Sequence, residues 1–150
     1  MFEQFLVRKD SLENVVENGK VTGFKFGVRI ADYRGVFLSL HNGYYIECDG
    51  VVYPREVQKI EINGKAPRSF EETKKCCLEH WNYDDEAIIY VTKEGGLEPG
   101  SHVLRIQQSV LNTYGYMPFL ESWVENPPVP GSGAGAGKTQ VICEYHLKLQ

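Results

Sequence analysis

Apolar and polar residues alternate with a period of two along most of the chain, which is the signature of strands with one buried face. Phe24, Phe26, Val28 and Ile30 alternate with Lys25, Gly27 and Arg29. Tyr44, Ile46 and Cys48 continue the pattern up to Asp49-Gly50, and the stretch from Val57 to Ile62 alternates until Asn63-Gly64. Asp-Gly and Asn-Gly supply the positive φ angles of tight hairpin turns. Ala87, Ile89 and Val91 form one face of the next strand, and Leu104, Ile106 and Val110 that of the one after. The last strand sets Val141, Cys143, Tyr145, Leu147 and Leu149 against Ile142, Glu144, His146 and Lys148. One segment departs from this rule. Ser69-Phe70-Glu71-Glu72 has capping-box spacing, which predicts a helix of about two turns through Lys75, although Cys76-Cys77-Leu78 could equally start a strand. Leu97-Glu98-Pro99-Gly100 suits a type II turn. Seven or eight strands between turn signals, with one short helix, predict an all-β fold, an antiparallel β-sandwich of immunoglobulin-like type.

Chain length makes this one domain over residues 1–150: 150 residues can bury roughly 70% of the surface exposed on unfolding. A Pro/Gly-rich tract at 126–138 interrupts it before the last strand and reads as a long loop, stiff in its proline half and flexible in its glycine-alanine half. Sixteen basic against 20 acidic residues give a net charge of −4, which argues against nucleic-acid binding, since that needs a basic surface. No apolar run approaches the roughly 20 residues of a membrane helix. The opening MFEQFLVRKDSLE lacks the apolar core of a secretory signal, so a cytoplasmic address is expected. Cys48, Cys76, Cys77 and Cys143 show no CxxC spacing and are expected to be reduced, structural thiols.

Candidate chemistry is sparse. Gly133-Ala134-Gly135-Ala136-Gly137-Lys138-Thr139 imitates a phosphate-binding loop, but the first glycine of that motif falls on Ser132 and only eleven residues follow Thr139, which leaves no room for a nucleotide-binding α/β domain. Histidines at 41, 80, 102 and 146 offer no paired metal-ligand spacing, so no metal is expected in this chain. Asp84-Asp85-Glu86 reads as a solvated turn, and no catalytic residue is assigned. Aromatics carry more information. Tyr33-Arg34-Gly35-Val36-Phe37 and Tyr114-Gly115-Tyr116-Met117-Pro118-Phe119, with Trp123 beyond, place rings where turns should be polar. They read either as packing at loop bases or as a contact surface, since Tyr, Phe, Met and Arg anchor interfaces and stack on sugars or flat aglycones.

The opening MFEQFLVRKDSLENV with ENG and VTGF following, DYRG at 32–35, DG with YPRE at 49–56, GGLEPGSH at 95–102 and YMPF at 116–119 together resemble the β subunit of bacterial C-glycoside deglycosidases over most of the chain. The resemblance implies a subunit of a C–C lyase that is inactive alone. Its implied partner is a TIM-barrel α subunit, which carries the divalent metal (manganese is usual) and the acid–base residues. Together they would cleave the C–C bond between sugar and flavonoid-type aglycone in a 3-oxo-C-glycoside. By the same resemblance Tyr33, Arg34, Gly35, Tyr116, Met117, Pro118 and Phe119 are expected at the partner interface or the rim of its pocket. The tract at 126–138 departs from the family pattern. A stand-alone carbohydrate- or polyphenol-binding module is the alternative reading.

Overall fold

A computed structural model describes residues 6–30, 35–110 and 142–150. Strand β1 (Glu13–Glu17) turns through Asn18-Gly19 into β2 (Lys20–Val28). After β3 (Val36–Phe37) and a 3₁₀ turn come β4 (His41–Cys48), β5 (Val51–Tyr53), β6 (Gln58–Glu61) and β7 (Arg68–Ser69). Helix α1 (Phe70–Thr73) leads to β8 (His80–Trp81), β9 (Ala87–Thr92), β10 (Ser101–Val110) and β11 (Cys143–Lys148). Every pairing is antiparallel. One sheet has the order β1-β2-β9-β6-β7, a second β11-β10-β4-β5, and β3 and β8 form a separate ribbon. The expected all-β sandwich-like architecture is therefore present. Its eleven strands among the described residues exceed the expected seven or eight because β3, β5, β7 and β8 are two or three residues long, too short to show alternation.

The two larger sheets enclose one core. Phe24, Phe26, Val28, Ile60, Ala87, Ile89 and Val91 come from the first, and Tyr44, Ile46, Cys48, Leu104, Ile106 and Leu147 from the second, all buried as the alternation requires. Each large side chain removed from water contributes roughly 1.5–3 kcal/mol. In the last strand only Leu147 is fully buried, while Tyr145 and Leu149 are partly so, because β11 lies at a sheet edge. Asp49 and Asn63 take positive φ, 51° and 58°, as the hairpin signals demand, and Asn18-Gly19 is a third turn of the same kind.

The helix is shorter than expected. Ser69 Oγ accepts from the Glu72 N–H and the Glu72 carboxylate accepts from the Ser69 N–H, so the capping box forms. Yet regular helix stops at Thr73, and Lys75 and Cys76 continue only as i→i−3 turns. Phe70 and Thr73 are buried, whereas Lys75, Cys77 and Leu78 face solvent, so nothing packs a second turn in place. The alternative of a strand starting at Cys76 is also not realised; pairing begins at His80.

Gln58 is a polar side chain within the core. It is in phase with Ile60 and Ile62 and is fully buried. Its Oε1 accepts from the Tyr44 N–H (3.1 Å), while its Nε2 donates to the carbonyls of Tyr44 (2.8 Å) and Tyr53 (3.0 Å). Pairing of β4 with β5 ends at Ile46↔Tyr53, and the Gln58 amide takes the place of the missing strand beside Tyr44.

Candidate partner-facing end of the sandwich

β2 and β10 end side by side, although they belong to different sheets. The Gln108 amide donates from Nε2 to the Arg29 carbonyl (3.2 Å) and to the Tyr44 hydroxyl (2.9 Å), tying the two sheets together just before both chains leave them. β4 begins at the same end, with His41 paired to Val110. Ile30 and Val110 are thereby brought to one end of the molecule. Of the seven sequence-predicted interface residues, Tyr33, Arg34, Tyr116, Met117, Pro118 and Phe119 lie outside the described residues, as does the 126–138 tract.

Gly35 is described, and its role is steric. Its φ is +70°, and a Cβ there would stand 2.1 Å from the Trp81 carbonyl oxygen and 2.7 Å from His80 Cε1. Only glycine permits this approach, which seats β3 against β8 through Val36↔Trp81 and Phe37↔His80. The rim of this ribbon is apolar and open. Phe37 is 44% exposed with its ring edge-on to His80, and Leu78 and Tyr83 on the flanking segments are 91% and 46% exposed.

Beneath the ribbon lies His41. Its ring packs against Tyr44, Phe70 and Trp81 at centroid distances of 4.9, 5.3 and 5.3 Å. Both ring nitrogens are buried, and neither has a hydrogen-bond partner among the described residues. Burial first, and the nearby Arg55 guanidinium second, push its pKa down to about 3, so the imidazole is neutral. Arg55 is itself held by the Asn42 carbonyl (2.8 Å) and by Glu71. Asn42, Gln107, Gln108 and Ser109 are buried around the same end. This is a sealed polar layer under an apolar rim, suited to holding a surface in shape and unsuited to proton exchange with water.

The sealed imidazole has a measurable consequence. The unfolded chain protonates His41 near pH 6.5, while the folded chain resists until about 3. Folding therefore loses stability as pH falls through that window, by up to about 1.4 kcal/mol per pH unit from this group. Urea unfolding of wild type and His41→Leu between pH 7 and pH 4 should show a gap that narrows, or changes sign in the variant's favour, on acidification. Parallel curves would refute the assignment.

Sequence reasoning passed over Gln58 and Gln108, although each carried a signal: a glutamine in phase with core-facing neighbours, Ile60 and Ile62 for one, Leu104 and Ile106 for the other. It missed His41 because both faces of β4 are buried near its start, so alternation gives no phase there.

Comparison with known proteins identifies the family of the chain. The family model described as C-glycoside deglycosidase beta subunit matches residues 2–114, a span that contains both large sheets apart from β11. A protein of Eubacterium cellulosolvens named "C-glycoside deglycosidase beta subunit" is 30% identical over 125 residues, covering 83% of this chain and 77% of that protein. With ten of its eleven described strands and the ribbon seated by Gly35 inside the matched span, the chain belongs to the C-glycoside deglycosidase beta subunit family.

Proposed function

We propose that this chain is the accessory subunit of a C-glycoside deglycosidase complex, docking on a TIM-barrel α subunit that binds the divalent metal and cleaves the C–C glycosidic bond of 3-oxo-C-glycosides. The observation that carries the reading is the family match, because the matched relative is named a beta subunit. The physical state of this chain's own groups agrees with it. Among the described residues His41 is sealed, Glu79 is clamped by Arg68 and Lys65, and Glu47 is paired with Arg105, so these three groups are already committed.

The chemistry explains the division of labour. A C-glycosidic bond has no bridging oxygen to protonate, so a pair of glycosidase carboxylates has no leaving group to assist. A ketone at C3 of the sugar acidifies the C2 proton. A base can then remove it, the aglycone leaves as its carbon is protonated, and the reaction is an elimination. A divalent metal, which in this reading belongs to the partner, would supply Lewis-acid chemistry to the ketone. The present chain would contribute shape: the Phe37, Leu78 and Tyr83 rim would form a wall against the partner.

Co-expression with the α subunit, followed by size exclusion with light scattering, tests the association. A complex containing both chains in fixed ratio is expected. Separate elution, with this chain a stable monomer, would transfer the argument to the stand-alone binding module.

A further inference from the structure

At the opposite end of the sandwich, the β4–β5 turn and the first residues of β10 bring together three side chains that are far apart in sequence. Cys48, Asp49 and His102 present a thiol, a carboxylate and an imidazole whose ligand atoms lie within 4.8 Å of one another. His102 Nε2 faces the Glu98 carbonyl at 2.6 Å, and since a carbonyl only accepts, Nε2 carries a proton and donates it. Nδ1 is thereby the nitrogen aimed at the cluster, 2.5 Å from Asp49 Oδ2. A neutral ring presents a lone pair there, against an anionic oxygen, so the pair requires a cation between them. A proton meets that need in the structure as it stands.

We propose that Cys48, Asp49 and His102 form a binding site for a divalent ion of zinc's chemistry, with a fourth position open to solvent. The donor set is one nitrogen, one oxygen and one sulfur, which suits a borderline-soft ion and not magnesium or calcium, whose sites are built from oxygen. The distances fit with a small movement. Donors around one tetrahedral zinc lie roughly 3.3–3.7 Å apart, given Zn–N, Zn–O and Zn–S lengths of about 2.0–2.3 Å. Cys48 Sγ is 4.0 Å from Asp49 Oδ2, close to that range. The Asp49 carboxylate must retreat from the ring by about an ångström to admit the ion, and its side chain is 46% exposed and free to do so.

The surrounding hydrogen bonds are those a metal site uses to aim its ligands. Asp49 Oδ1 accepts from the Val103 N–H (2.9 Å), leaving Oδ2 for the ion, and the Glu98 carbonyl fixes the imidazole tautomer. Burial of Cys48, at 1% exposure, keeps the thiol from other partners. The Lys93 ammonium and the Glu98 carboxylate, of opposite sign, both act on the cluster. Binding replaces two protons by the ion, that of the Cys48 thiol and the one shared by His102 Nδ1 and Asp49 Oδ2, and releases both to buffer.

The test uses the full-length chain, stripped with chelator, loaded with zinc sulfate and desalted, with bound zinc measured by atomic emission. One zinc per chain is expected, undiminished by excess magnesium and in a Cys76→Ser/Cys77→Ser variant. Cys48→Ser and Asp49→Asn should each weaken binding at least about tenfold, the lower end of what loss of a mere outer partner costs. Asp49→Asn keeps Oδ1 for Val103 and tolerates the positive φ, so it decides the matter if Cys48→Ser fails to fold by circular dichroism. No zinc on the wild-type chain, or zinc held equally well by the folded variants, would overturn the site.

Discussion

Gly35→Ala is expected to destabilise the fold by about 3–4 kcal/mol, the sum of a left-handed backbone penalty and a steric overlap that backbone must relieve. The overlap is with the Trp81 carbonyl oxygen, 2.1 Å from the added Cβ, and backbone cannot swing aside as a flexible side chain would. Gly50 provides the control. It also has positive φ, +84°, but nothing within 4 Å of an added Cβ, so Gly50→Ala should cost only about 1–2 kcal/mol. Chemical denaturation of the two variants measures the difference. Equal losses would show that the Gly35 contact relaxes freely. The distinction bears on function, because Gly35 seats β3 against β8: if the ribbon lifts, the Phe37 rim moves with it. Loss of partner binding in Gly35→Ala would accordingly report a displaced surface and not a lost contact of the glycine itself.

Gln58→Leu is the second large effect, at about 2–4 kcal/mol despite adding apolar volume to an apolar core. The substitution leaves the Tyr44 N–H and the carbonyls of Tyr44 and Tyr53 without the amide that now serves them. Buried backbone groups abandoned in this way cost their full desolvation, about 1–3 kcal/mol each, partly recovered if water enters. Gln58→Glu separates shape from hydrogen bonding. A carboxylate can still accept from the Tyr44 N–H but cannot donate to the two carbonyls, so its loss should be as large at neutral pH and smaller in acid, where a protonated carboxyl donates again. Thermal unfolding of both variants at pH 5 and pH 7.5 checks this. A Gln58→Leu variant as stable as wild type would mean that the β4 edge finds other partners.

What was legible in the sequence was whatever repeats. Period-two runs such as Phe24–Ile30 and Ala87–Val91 placed their core faces correctly, and Asp49-Gly50 and Asn63-Gly64 announced their turns through the φ angles those residues tolerate. Boundaries set by tertiary packing were not legible. The capping box at Ser69 and Glu72 formed, but only packing decides how far a helix runs, and past Thr73 there is none to hold it. The ribbon of β3 and β8 has two residues a side and no pattern at all; its one clue was Gly35, which drew notice for its aromatic neighbours and not for its backbone. Sites formed by juxtaposition were the hardest to see. Asp49 and His102 are 53 residues apart and meet only because β4 and β10 are neighbours in one sheet, with Leu104 opposite Cys48. Of the predicted interface only Gly35 lies among the described residues, and Tyr33, Arg34, Tyr116, Met117, Pro118 and Phe119 fall outside them.

The account rests on this chain being a partner whose presence makes another protein active. Aglycone release from a 3-oxo-C-glucoside, followed for the co-purified pair and for each chain alone, measures that directly. Turnover by the pair, with none from this chain alone and little from the α subunit alone, is the predicted result. Full activity of the α subunit without this chain, or turnover by this chain in its absence, would contradict it.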